Sequence, residues 1–179
     1  MKNKLLIPAI IFGVLIILNS NSYGQEALKP RPSPLSVTTM KFEDTYVKIT
    51  YSRPHKRGRE TFGSELAPFG EVWRTGANEA TEITLTGDIK LNGHKIKAGT
   101  YSIFTIPQKE KWTVIINKGL GQWGTYDYDK SLDLVRFEVP VEMTEIIFEP
   151  FTISFEEKNK DNVLSMQWDK TKVSIPLEF

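Results

Sequence analysis

From residue 45 onward, apolar side chains recur with a period of two rather than 3.6. Val47, Ile49 and Tyr51 fall on one face of residues 45–51, and Ile83 and Leu85 repeat the pattern within 80–86. Alternation puts successive side chains on opposite faces of a strand, so each segment offers one side to a core and one to solvent. Asn92-Gly93 separates two short apolar stretches, the strongest short-range hairpin signal. Residues 101–106 and 112–117 flank a polar turn at 108–111, and further strand-like runs lie at 134–139, 146–148, 151–155, 163–168 and 173–177. No stretch of ten residues carries a helical period. Many short strands punctuated by Gly, Pro, Asn and Asp predict an all-β fold: a single-domain antiparallel β-sandwich, jelly-roll-like, over 37–179.

The two ends of the pattern differ from its middle. Lys2 and Lys4 precede an uncharged apolar run at 5–18, and Ser22 and Gly24 suit a cleavage site. As a helix this run rises roughly 21 Å, short of the roughly 30 Å hydrocarbon core. We read 1–24 as a signal peptide cleaved after Gly24, with a retained anchor as the alternative. Export places the protein in the periplasm or outside the cell, with no membrane span after cleavage. Residues 25–36 hold Pro30, Pro32 and Pro34 and read as an extended lead-in. The leader carries two lysines and no acid, so its removal takes the net charge from +1 to −1. That balance argues against nucleic-acid binding driven by bulk positive charge. With no cysteine, disulfides, zinc–thiolate sites and thiol nucleophiles are excluded.

Residues 51–81 break the alternation. The chain has six arginines, at 31, 53, 57, 59, 74 and 136, and four of them fall in this window. A guanidinium is a planar fork that binds carboxylate or phosphate bidentately and stacks on rings, which lysine does not. Glycines at 58, 63, 70 and 76, with Pro54 and Pro68, mark a long loop, and loops beyond about 12–15 residues are usually functional or disordered. Phe62, Leu66, Phe69, Val72 and Trp73 supply apolar anchors against disorder. A purely structural reading competes: Arg74 pairs with Glu71, Glu79 or Glu82, Trp73 is core, and Asn78 is a turn residue.

Tyr51-Ser52-Arg53-Pro54, Arg57-Gly58-Arg59, Phe62-Gly63, Pro68-Phe69-Gly70 and the run from Val72 to Thr81 resemble the secreted bacterial family called domain of unknown function 2911. Residues 98–102, 112–115 and 122–124 continue the likeness, which spans about 33–156. Phe69 stands where a tyrosine is expected and Arg57 where a lysine is expected. The first weakens a hydroxyl role there; the second keeps the charge. The resemblance implies export and a compact domain, and carries no activity or catalytic residues.

Other chemistry is thinner. His55 sits beside the arginines, the only histidine placed like a general base; His94 lies in the Asn-Gly hairpin. No His-x-His or His-Glu-x-x-His occurs, so no metal or cofactor is implied. Asp127, Asp129, Ser131, Asp133 and Glu138 match positions 1, 3, 5, 7 and 12 of a calcium loop, but Leu132 stands where the turn needs glycine. A solvated acidic turn is the plainer reading. Ser52 or Ser102 with His55, and Glu71 with Glu79, are hydrolytic pairings without a supporting spacing. Trp112 is in phase with Val114 and Ile116 and reads as core. Trp123, between glycines, reads as an exposed platform.

The leading expectation is non-catalytic recognition of an anionic or polar ligand: an acidic glycan, an envelope fragment or a peptide carboxylate. Arg53, Arg59 and Arg74 bind the anion, Asn78 and Glu79 orient it, and Trp73 or Trp123 stacks, with His55 and Tyr101 in second place. A hydrolase or lyase on similar ligands, using His55 or Glu79 as base, is the first alternative. A structural or partner-binding module is the second. Ligand identity and oligomeric state stay open.

Overall fold

The period-two segments become strands where alternation predicts them. The computed structural model describes residues 29–158 and 161–179; the leader assigned to 1–24 and the start of the lead-in lie outside the described residues. Nine strands follow: β1 Leu35–Phe42, β2 Thr45–Ser52, β3 Thr81–Leu85, β4 Ile89–Leu91, β5 His94–Ile96, β6 Gly99–Ile106, β7 Lys111–Asn117, β8 Asp133–Lys158 and β9 Asp161–Glu178. All pairings are antiparallel, in the order β1-β2-β3-β6-β7-β8-β9-β4-β5. Asn92 and Gly93 close the β4–β5 hairpin with φ of 48° and 78°, the left-handed pair that a tight hairpin needs.

The sheet folds over on itself through β8. As far as Pro140, β8 pairs with β7; from Val141 it pairs with β9. Its two halves therefore belong to opposite layers, which makes the expected sandwich. Val47, Ile49 and Tyr51 of β2 face Phe151 and Ile153 of β8 across the core. The Tyr51 hydroxyl clamps the layers, accepting from the Ile153 amide at 2.9 Å and donating to the Ile153 carbonyl at 3.3 Å. Trp112 and Trp168 are fully buried at the centre.

Two boundaries differ from the sequence reading. The runs at 134–139, 146–148 and 151–155 are one strand, and so are those at 163–168 and 173–177. Pro140 and Pro150 look like breaks, yet Pro140 falls where β8 changes partner. Pro150 lies in the gap between the Phe148↔Asp169 and Thr152↔Gln167 pairs, where no ladder donor is needed. Also, β1 begins at Leu35, inside the segment read as lead-in, and the compact unit extends back to Arg31.

A second, small apolar cluster of Ala80, Phe104 and Ile115 lies on the outer face of β6 and β7. Residues 118–132 fold over that face, held by Ser102 Oγ donating to the Gly119 carbonyl at 2.6 Å and by Ala80 N donating to the Gln122 carbonyl at 2.9 Å. Asp129 and Asp133 of the acidic turn are used internally. Asp129 caps the 3-10 turn Lys130–Leu132, and Asp133 accepts from Tyr128, Arg136 and Asn117.

Candidate functional site

After β2 the arginine-rich segment does not wander; it is laid along β8. Phe151 N donates to the Pro54 carbonyl at 2.8 Å and Lys56 N to the Glu149 carbonyl at 2.9 Å. Arg57 and Gly58, both left-handed with φ of 49° and 74°, then reverse the chain. Phe62 plugs the core, its ring 4.8 Å from Trp112 and 5.7 Å from Trp168. Trp73 is pinned to the end of β6 by a reciprocal pair with Thr105, at 2.7 and 3.0 Å.

The arginines divide by role. Arg53 is a fastener, donating to the Phe151 carbonyl at 3.1 Å and the Thr152 hydroxyl at 2.6 Å. Arg59 folds back on its own turn, donating to the Lys56 and His55 carbonyls at 3.1 and 2.8 Å. Arg57 gives one donor to the Pro32 carbonyl at 2.9 Å. Arg74 gives none: its guanidinium has no partner among the described residues, and its Nε is fully buried. The pairing of Arg74 with Glu71, Glu79 or Glu82, which proximity in sequence suggests, does not occur. Leaving a buried charged donor unmade costs roughly 1–3 kcal/mol or more. The indole N–H groups of Trp73 and Trp112 also lack acceptors, but neither ring touches the cavity described next.

Arg57, Arg59, Arg74 and His55 line one cavity of about 230 Å3, floored by the buried Trp168. Glu65 is the one acid on its wall, and it forms no ion pair with any of the three arginines. The backbone beside Arg74 is strained. Thr75, wholly buried and β-branched, has φ of 56°, and such residues rarely enter the left-handed region. Thr81 Oγ holds it there by donating to the Thr75 carbonyl at 2.7 Å. The kink brings Gly76 and Ala77 to the cavity wall, and a Cβ on Gly76 would meet the Ser52 carbonyl at 2.9 Å.

The other predicted residues lie elsewhere. Trp73 is buried in the aromatic cluster, stacked on Trp168 at 6.0 Å, so its faces are covered. Tyr101 packs on the main core and donates its hydroxyl to the Lys97 carbonyl at 3.1 Å, away from the cavity. Trp123 is 52% exposed, but it does not line this cavity. Asn78 donates to the Ser33 carbonyl at 3.3 Å. Glu79 accepts two hydrogen bonds from Arg31, at 2.7 and 3.0 Å, which hold its carboxyl below the ordinary range.

The sequence reading missed the strap. Residues 31–34 run across the loop, each tied to it: Arg31 to Glu79, and the carbonyls of Pro32, Ser33 and Pro34 to Arg57, Asn78 and the Arg53 amide. Pro32 and Ser33 thereby form a cavity wall. Alternate prolines, which cannot enter a ladder, were the available signal for a segment whose carbonyls serve side chains instead.

A family model described as Protein of unknown function (DUF2911) matches residues 33–177, and so covers the second half of the strap, the loop and both layers. No curated protein and no solved structure matches the chain. Among the described residues, no helix is long and apolar enough to cross a membrane, and no group of three or more acids and histidines is placed to hold a metal ion.

Proposed function

The chain belongs to DUF2911, a family of proteins of unknown function, and on that premise we propose that it is an exported domain that binds an anionic group without catalysis. The group enters the cavity lined by Arg57, Arg59, Arg74 and His55. One observation carries this reading: the Arg74 guanidinium has no partner among the described residues, and Arg74 lines a cavity where arginines outnumber the single acid. A charge-assisted hydrogen bond from a bound carboxylate or phosphate supplies what the protein withholds. Arg57 and Arg59 are already anchored through one or two nitrogens each, so their remaining donors are pre-oriented rather than free to wander. Arg53 belongs to the loop's fastening.

Export rests on the leader pattern at 1–24. A hydrolytic reading is favoured only by His55 and Glu65 lining the same cavity. Glu79 does not serve it, because Arg31 holds that carboxylate in an ion pair.

A thermal-shift panel of inorganic phosphate, glucuronate and short peptides with free C-termini tests the reading. A shift with at least one of them, lost in Arg74→Met, supports it. Identical, unresponsive melting of both proteins contradicts it. Turnover of an ester or glycoside panel that disappears in His55→Ala moves the protein to the hydrolytic class.

A further inference from the structure

A second cavity, of about 270 Å3, opens on the outer face of β1, β2 and β3, beneath Gly121 and Gln122. Its wall follows from register. Leu35 pairs with Ser52 and Thr50 with Glu82, so these four outward side chains stand on adjacent strands. The overlying loop is drawn down by Gly121 N donating to Glu82 Oε1 at 2.8 Å. Gln122, only 7% exposed, completes the wall.

Gln122 is the telling residue. Among the described residues its Oε1 is buried without a hydrogen-bond partner. A buried amide oxygen left unmade costs about 1–3 kcal/mol, and such a group calls for an explanation. Room for it is reserved: a Cβ on Gly119 would lie 2.1 Å from Nε2, so any residue but glycine there displaces the amide.

We propose that this second cavity is a subsite for a neutral sugar ring, with Gln122 as the residue that reads its hydroxyls. The carboxamide can donate to one hydroxyl and accept from its neighbour. Glu82 keeps one carboxylate oxygen as a further acceptor, Thr50 contributes a hydroxyl, and Leu35 gives an apolar edge for the ring's C–H face. A cationic amine fits less well. Glu79 is already neutralised by Arg31, and Glu82 has one oxygen committed to the Gly121 amide, which leaves a single carboxylate oxygen for an ammonium that brings three donors. The inference does not rest on the anion-binding reading of the first cavity, because it uses none of those arginines.

Saturation-transfer NMR with the purified protein and the methyl glycosides of glucose, galactose and N-acetylglucosamine, with putrescine as the amine probe, tests it. We expect signal transfer to at least one glycoside. In Gln122→Leu, which keeps the volume and removes both polar ends, that transfer falls at least tenfold while thermal stability holds or rises. In Glu82→Gln, which keeps an acceptor and loses the charge, it survives, and in Arg74→Met it is unchanged. Three results overturn the proposal: no transfer to any glycoside, transfer undiminished in Gln122→Leu, or putrescine binding that Glu82→Gln abolishes. The first of these, with a phosphate or glucuronate shift intact, leaves the other cavity's reading standing and assigns Gln122 to an ordered water alone.

Discussion

Arg53 and Arg74 leave the same loop, and replacing each by methionine separates fastening from recognition. Methionine keeps most of the stem and volume and removes the guanidinium. At Arg53 the change deletes two hydrogen bonds, at 3.1 Å to the Phe151 carbonyl and 2.6 Å to the Thr152 hydroxyl. A hydrogen bond from a charged group contributes about 1.5–3 kcal/mol, and partial exposure pulls this pair toward the low end, so the loss is about 2–3 kcal/mol. For a domain of this size 1 kcal/mol moves Tm by about 2–4 °C, so Arg53→Met should melt roughly 5–10 °C lower. At Arg74 no hydrogen bond to the described residues is deleted, and a buried unpaired donor is removed. Its Tm should hold or rise by a few degrees. The assay is thermal unfolding of wild type and both variants in a buffer free of phosphate and carboxylic acids, since a bound anion would stabilise only the wild type. If Arg74→Met loses as much as Arg53→Met, the guanidinium is a fastener and the division of roles is wrong.

Three further outcomes follow from the geometry. Burial first, then hydrogen bonding to Asp133, pushes the Tyr128 phenol up to about 12, above its unfolded value near 10. Its contribution to stability is therefore complete below pH 10 and lost as pH rises toward 12. Urea midpoints should fall across that window, and less steeply in Tyr128→Phe. Gly76→Ala places a methyl 2.9 Å from the Ser52 carbonyl, a backbone atom that cannot step aside, and should cost about 1–3 kcal/mol in urea unfolding. Gly124→Ala strains a φ of 68° and brings a methyl within 2.9 Å of Arg74 Nη1, so titration should show weaker anion binding although residue 124 does not line the cavity.

What could be read from the sequence followed local rules. Asn92-Gly93 announced its turn, and Val47, Ile49 and Tyr51 announced their face, because strand period and turn chemistry act over a few residues. β1 was lost because an edge strand with Leu35 and Val37 exposed needs no clean alternation. The proline-marked runs merged into β8 because the ladder tolerates proline where the partner changes, at Pro140, and where the register shifts, at Pro150. At the site, the density of guanidinium groups was visible, but its allocation was not. Sequence proximity suggested acids as partners, whereas Arg53, Arg57 and Arg59 reach carbonyls, and Glu79 is taken by Arg31 from the other end of the loop. Which arginine stays unpaired depends on the kink at Thr75, a conformation no residue pattern specifies.

The most direct test is an anion titration of wild type and Arg74→Met, followed by calorimetry at low and high ionic strength. The predicted result is saturable binding of phosphate, glucuronate or a peptide carboxylate to the wild type, with affinity reduced at least tenfold in the variant and weakened by added salt. Equal affinity in the two proteins, or no anion bound by either, contradicts the claim that Arg74 is held open for a ligand.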